Sequence, residues 1–106
     1  MNQQEKEVLS RIVSKAKDVT PSDATIILFG SRARGDNRAD SDWDLLVLLN
    51  KDKISLNDID EVAYPIREMG WSMDADINPV LYTRKEWDNS SFTPFYKNVT
   101  KEGIVL

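Results

Sequence analysis

Two short strings hold the residues from which a reaction could be built: Leu28-Phe29-Gly30-Ser31-Arg32-Ala33-Arg34-Gly35 and Asp40-Ser41-Asp42-Trp43-Asp44. A strand that runs into Gly-Ser and then into a helical turn exposes unsatisfied backbone amides at the positive end of that turn, where a phosphate is favoured. Gly30 lets the backbone approach such a ligand, Ser31 offers a hydroxyl donor, and Arg32 or Arg34 offers positive charge. Asp42 and Asp44, two apart on an extended segment, send their carboxylates off one face with about 7 Å between Cα atoms. Carboxylates so placed can share hard divalent cations, and magnesium binds through one or two carboxylates plus phosphate oxygens and water. A phosphate loop beside an acid pair has the parts for metal-assisted phosphoryl chemistry.

Either half alone is a weak signal, because Gly-Ser after a strand and Asp-x-Asp at the start of one are both common in turns and on solvent-facing edges. Their order and the setting of Asp44 strengthen the case. Asp44 sits in Trp43-Asp44-Leu45-Leu46-Val47-Leu48-Leu49, a run otherwise suited to burial, where an uncompensated carboxylate would be costly. Two competing motifs fail. Asp40, Asp42 and Asp44 imitate the opening ligands of a calcium loop, but Leu45 stands where that loop needs glycine and Lys51 where it needs its last acid. The segment from Gly30 also lacks the Gly-Lys-Ser/Thr ending of a Walker loop.

The chain has no histidine and no cysteine, so any acid-base or metal chemistry rests on carboxylates, and disulfides and thiolate zinc sites are excluded. Eighteen acidic against fourteen basic side chains give a net charge of -4 and a pI near 4.8, which argues against long nucleic acid as a partner. Yet Arg32, Arg34 and Arg38 crowd together while Arg11, Arg67 and Arg84 are scattered, and a local basic spot on an acidic protein suits a small anion. No apolar run suits a membrane span or a secretory leader, so a soluble cytoplasmic protein is expected.

The elements that must position these groups follow from patterning. Val8, Leu9, Ile12, Val13, Ala16 and Val19 recur at helical spacing over residues 5–19, and Pro21 ends the pattern. Residues 24–29 and 43–49 are short apolar runs that read as buried strands. Ser55 to Asp58 is a capping-box pattern opening a second helical stripe, Leu56, Ile59, Val62, Ala63, Ile66 and Met69, before Gly70; Pro65 within it predicts a kink near Tyr64. Residues 74–83 read as a third strand, with Pro79 pointing to an edge or bulge. The tail carries a helical stretch around residues 95–101, stopped by Gly103, and Ile104-Val105-Leu106 as a last strand. With 106 residues the chain suits one core, hence a single domain spanning 1–106. The order predicts an α/β or α+β fold, a small mixed β-sheet covered by helices. Trp43, Trp71 and Trp87 are read as packing residues, and the aromatic cluster at residues 92–96 as core cover.

At Gly30-Ser31 and Asp42-Trp43-Asp44 the chain resembles the minimal nucleotidyltransferases of the polymerase-β-like nucleotidyltransferase superfamily, whose signature is Gly-Ser, about a dozen residues, then Asp-hydrophobic-Asp. The likeness runs across nearly the whole chain. It implies the nucleotidyltransferase fold and transfer of a nucleoside monophosphate, AMP favoured, from a magnesium-bound nucleoside triphosphate, ATP favoured, to an acceptor hydroxyl. By the same resemblance Gly30, Ser31, Arg32 and Arg34 take the phosphates, and Asp42 and Asp44 bind magnesium, with a pair of ions expected. The family's third carboxylate, on a later strand, which acts on the attacking hydroxyl or completes the metal site, would be Asp76 or Asp74; Asp76 is taken because it abuts Ile77, although Asn78-Pro79 departs from the family's usual apolar run. Such domains are often the antitoxin of a toxin-antitoxin pair with an all-helical HEPN protein, and some adenylylate that partner. Two other readings stay open: an antitoxin that keeps the fold and acts by contact without catalysis, and a free-standing transferase. A domain this small has little room for an acceptor pocket, so the acceptor or a second subunit is expected to complete the site.

Overall fold

The first helix, α1 (Gln3–Val19), begins two residues earlier than its apolar stripe. Asn2 caps it, accepting from the Glu5 amide while the Glu5 side chain accepts from the Asn2 amide. Val8, Ile12 and Ala16, each four apart, are its buried face. Strand β1 (Thr25–Phe29) leads into a single helical turn, α2 (Ser31–Arg34), and strand β2 (Trp43–Leu49) follows. These are residues 1–106 of a computed structural model.

The second helical stripe begins at α3 (Leu56–Asp58), with Ser55 and Asp58 forming the expected capping box, and passes through a π-helical turn (Ile59–Ala63) into α4 (Tyr64–Trp71). The kink expected at Pro65 takes the form of that π turn. Proline has no amide to bond back four residues and its ring crowds the carbonyl there, so the helix widens just before it. The Tyr64 amide accordingly reaches Ile59, five residues back, and the helix continues. It also runs past Gly70, which stays helical because its bare Cα is packed: a Cβ there would stand 2.7 Å from Ile77 Cδ1 and 2.8 Å from the Ala75 carbonyl.

Strand β3 (Ile77–Thr83) is shorter than the expected 74–83. Asp74 adopts φ 54°, and the amides of Met73 and Ala75 both donate to the Gly70 carbonyl, so residues 73–75 form a turn off the end of α4. Two elements close the chain after α5 (Arg84–Asp88): helix α6 (Pro94–Glu102) and the short strand β4 (Ile104–Val105). The α5 turn was not expected, although its signal, Thr83 with Glu86 three residues on, is a capping box that the structure forms.

The four strands make one mixed sheet in the order β3-β2-β1-β4. β1 is antiparallel to both β2 and β4, while β2 and β3 run parallel, joined by the crossover through α3 and α4. Pro79 lies on β3, an outermost strand, where a missing donor is tolerated. Helices cover both faces. Leu45, Val47 and Leu49 of β2 and Ile26 and Leu28 of β1 pack with Val8, Ile12 and Ala16 of α1 and Ile66 and Met69 of α4. On the opposite face Leu46 and Leu48 meet Trp87 and Val99, flanked by Phe29, Tyr82, Phe95 and Tyr96. Trp43 and Trp87 are buried, as read from the sequence, but Trp71 is half exposed and stands edge-on to Tyr64. Phe95 and Tyr96 cover the core, whereas Phe92 is exposed. No helix is long and apolar enough to cross a membrane.

One buried side chain ties the loop between α2 and β2 to this frame. Arg32, 6% exposed, donates to the Ser41 carbonyl at 2.9 and 3.2 Å, to the Ala39 carbonyl at 3.1 Å and to Glu5 of α1 at 3.1 Å. Its guanidinium also lies over the Trp43 ring, 4.4 Å from the centroid. A lysine has neither the fork nor the plane to make these contacts together. Arg32→Lys is therefore expected to lower unfolding free energy by about 2 kcal/mol, read in urea denaturation. Gly70→Ala, which forces a methyl against backbone, is expected to cost about 1–3 kcal/mol in the same assay while leaving the urea slope unchanged.

Candidate active site

The loop Gly30-Ser31 and the acids of β2 meet because β1 and β2 are antiparallel neighbours in a register that pairs Phe29 with Asp44. Gly30 leaves the end of β1 at φ 76° and ψ -161°, a conformation closed to residues with a side chain, and serves as N-cap of α2. A Cβ on Gly30 would collide with Asp44 Oδ2. The carboxylate thus lies against the bare Cα of the glycine, where any side chain would clash with it. Its other oxygen, Oδ1, accepts from Asn78 Nδ2 of β3 at 3.4 Å, so one acid is held between a turn and a neighbouring strand.

Alternation along β2 sets the face. Trp43 and Leu45 turn into the core under α1 and α4, so Asp42 and Asp44 turn together to the other face, at the end of the sheet that α6 leaves partly open. Asp42 is exposed and Asp44 half-buried. Burial first, and then the charge of Asp42, push the Asp44 carboxyl above its usual range, while the Asn78 amide and Arg34 pull the other way. The upward shift therefore records chiefly the partial burial of Asp44, with the nearby Asp42 charge adding to it.

Parallel pairing of β2 with β3 places Asp44 opposite Asn78 and Trp43 opposite Ile77. The Trp43 amide donates to the Asp76 carbonyl, and one step back in that register sets Asp76 level with Asp42, exposed on the Asn78 side. Asp74, expected within the third strand, belongs instead to the turn after α4 and so shares no strand face with Asp76. No three acidic side chains come close enough together to form a metal cage. Two carboxylates side by side, with open space for phosphate oxygens and water, still suit magnesium, which uses one or two protein acids in such sites.

Ser31 is half-buried at the first position of α2. The two arginines of the loop part company. Arg32 is turned inward and fully engaged with protein groups, as described above, whereas Arg34 is half exposed and donates to Glu102 at 3.0 Å and Asp36 at 3.1 Å. Those hydrogen bonds, Glu102 first, hold the Arg34 guanidinium even more firmly protonated than usual. Glu102, the last residue of α6, also accepts from the Gly30 amide at 3.3 Å. Sequence reasoning missed Glu102; sixty-eight residues separate it from Arg34, and only the return of α6 across the sheet brings them together.

The geometry sets the Gly30-Ser31 turn beside a half-buried carboxylate, with a second acid nearby. Comparison with known proteins identifies the family. The model of the nucleotidyltransferase domain matches residues 6–105. No curated protein sequence matches the chain. Among solved structures, a crystal structure of a toxin-antitoxin with AMP-PNP superposes with a TM-score of 0.64 at 23% identity, over 91% of this chain and 69% of that one. A Sulfolobus solfataricus protein assigned as a nucleotidyltransferase superposes with a TM-score of 0.57 at 21% identity, over 99% of this chain and 87% of that one. At such identities these two establish likeness of fold. The family match over residues 6–105, falling on a chain whose Gly30-Ser31 turn and Asp42-Asp44 pair adjoin, makes this protein a member of the nucleotidyltransferase domain family.

Proposed function

We propose that this chain binds a nucleoside triphosphate, ATP favoured, along Gly30-Ser31 and transfers its nucleoside monophosphate to an acceptor hydroxyl. The observation that carries the reading is the seat of Asp44 against the bare Cα of Gly30, which puts a carboxylate within reach of whatever the loop holds. Gly30 and Ser31 hold the β- and γ-phosphates through backbone amides and the Ser31 hydroxyl. Arg34, at the rim, adds positive charge. Arg32, expected from sequence to meet phosphate, is given instead the task of holding residues 39–41, and with them the approach to Asp42.

Asp42 and Asp44 would hold magnesium, which when bound supplies Lewis-acid charge to the triphosphate oxygens. Asp44 is kept in place by Asn78 and by the glycine it touches, and the strand carrying it is buried on both faces, so this acid is preorganised. Asp76, on the exposed flank beside Asp42, takes the acceptor's proton. The acceptor oxygen then attacks the α-phosphorus, the bond from that phosphorus to the bridging oxygen breaks, and pyrophosphate leaves. Neighbouring structure leaves the flank of Asp42 and Asp76 open, so the acceptor arrives from outside the chain.

The likeness to a toxin-antitoxin structure with AMP-PNP supports a protein partner for this chain, and an all-helical HEPN-type protein, adenylylated on a hydroxyl, is the acceptor the reading favours. A specific observation keeps a second reading in play: Asp42, Asp44 and Asp76 do not gather into a three-acid cluster. A contact-only antitoxin, which binds its partner without catalysis, needs no such cluster.

Asp44→Asn should leave the circular dichroism spectrum and melting behaviour essentially intact, since it removes charge from a crowded site. Its transfer of label from α-phosphate-labelled ATP to the partner should fall by about a hundredfold or more. Undiminished labelling would remove Asp44 from the chemistry. Toxin neutralisation by Asp42→Asn and Asp44→Asn separates the two readings: loss of neutralisation supports transfer, and full retention supports contact alone.

A further inference from the structure

Glu102 is poorly explained by its own helix. It stands at the carboxyl end of α6, where the helix dipole is negative and a carboxylate is disfavoured; Lys101 beside it is the residue type that end prefers. It is also close enough to Asp44 for its charge to add to that acid's burden. What holds it there is a pair of donors across the sheet. Oε1 accepts from the Gly30 amide at 3.3 Å and Oε2 accepts from Arg34 at 3.0 Å, with the Glu102 side chain 19% exposed. Those are two of the donors to which the nucleotide reading assigns phosphate oxygens.

We propose that Glu102 is a built-in competitor for the nucleotide's phosphates: its carboxylate occupies the Gly30 amide and the Arg34 guanidinium until a triphosphate displaces it. The inference rests on the nucleotide-binding reading above. Displacement needs only a side-chain rotation, because α6 is fastened independently of Glu102. Phe95, Tyr96 and Val99 pin it to the sheet, and beyond Gly103 the strand β4 pairs with Ile27 and Leu28 of β1. Release also moves a carboxylate away from Asp42, Asp44 and the negative end of its helix, so the closed state is held by a margin that a phosphate chain with several strong acceptors can overcome. The cost appears in affinity. A site that is open one-tenth of the time binds about tenfold more weakly than its open form would.

The test is the dissociation constant of a non-hydrolysable ATP analogue with magnesium, measured calorimetrically on the wild type, Glu102→Gln and Glu102→Ala. Glutamine keeps the size and loses the charge and the ion pair with Arg34; alanine removes the group. Both variants are expected to bind about tenfold more tightly than the wild type, equivalent to about 1.4 kcal/mol. The Gly30 amide resonance should also differ between free wild type and free Glu102→Ala, which lacks its acceptor, and converge on one position when both bind the analogue. Wild-type binding with equal or weaker affinity in both variants overturns the competitor and leaves the nucleotide site standing. Absence of analogue binding in all three proteins overturns the site and the competitor together.

Discussion

The contact on which the site depends is one carboxylate lying against one glycine. Asp44 belongs to the most buried strand of the sheet, and its Oδ2 occupies the volume that a side chain at position 30 would fill. A charge in such a strand costs several kcal/mol if nothing answers it. Here the answers are partial: the Asn78 amide, the fringe of Arg34 and the open edge of the sheet. The residue is neither packed away nor freely solvated, which is the condition under which a carboxylate gains most from a metal ion and the phosphates that come with it. The positive φ of Gly30 belongs to the same constraint. Any other residue would both strain the turn and push the acid aside, so the bend at Gly30 and the seat of the acid have one cause.

The loop's two arginines show how a single helical turn divides labour. Arg32 falls on the inner side of α2, where it satisfies the carbonyls of Ala39 and Ser41, stacks on Trp43 and pairs with Glu5 at the start of α1. Two positions on, Arg34 falls on the outer side and remains half exposed. Residues 100° apart per step cannot both face one ligand when they are two apart in a helix. Buried, bidentate and aromatic-stacked, Arg32 is the structural residue; the connection it makes from α1 through the loop to β2 fixes the entry of the strand that carries both acids.

Much of this was legible from the chain, and the failures have identifiable physics. The three long apolar patterns gave α1, β1 and β2 to within two residues, because burial on one face or both leaves a periodic record. Pro65 announced a defect without specifying its kind; widening into a π turn keeps the helix packed on α1, which patterning cannot distinguish from a kink. The third strand was drawn three residues too long because Asp74-Ala75-Asp76 imitates alternation, whereas the carbonyl of Gly70 captures two amides there and winds the segment into a turn. Of the candidate site, Gly30, Ser31, Asp42 and Asp44 could be nominated from sequence because they are close along the chain and of types suited to phosphate and metal chemistry. The inward turn of Arg32 and the arrival of Glu102 were not, because both are set by what lies across the fold: Trp43 and Glu5 for the one, the path of α6 for the other.

The charge balance of the site bears on why an acidic protein would take an anionic ligand. Beside Gly30 stand Asp44 and Glu102, with Asp42 acting on Asp44 from nearby, against Arg34 alone, since Arg32 is spent on the protein's own carbonyls. A triphosphate carrying its full negative charge would meet like charge there, at separations where even a high effective dielectric leaves repulsion of about a few kcal/mol per close pair. Divalent cations invert that sign, binding the acids and the phosphates at once. Nucleotide and metal affinity at such a site are therefore coupled: each supplies what the other needs. On the proposed function, a loop of backbone amides and one exposed arginine, on a chain of net charge -4, would be selective against free anions by electrostatics alone and receptive to a phosphate chain only when its charge arrives already matched.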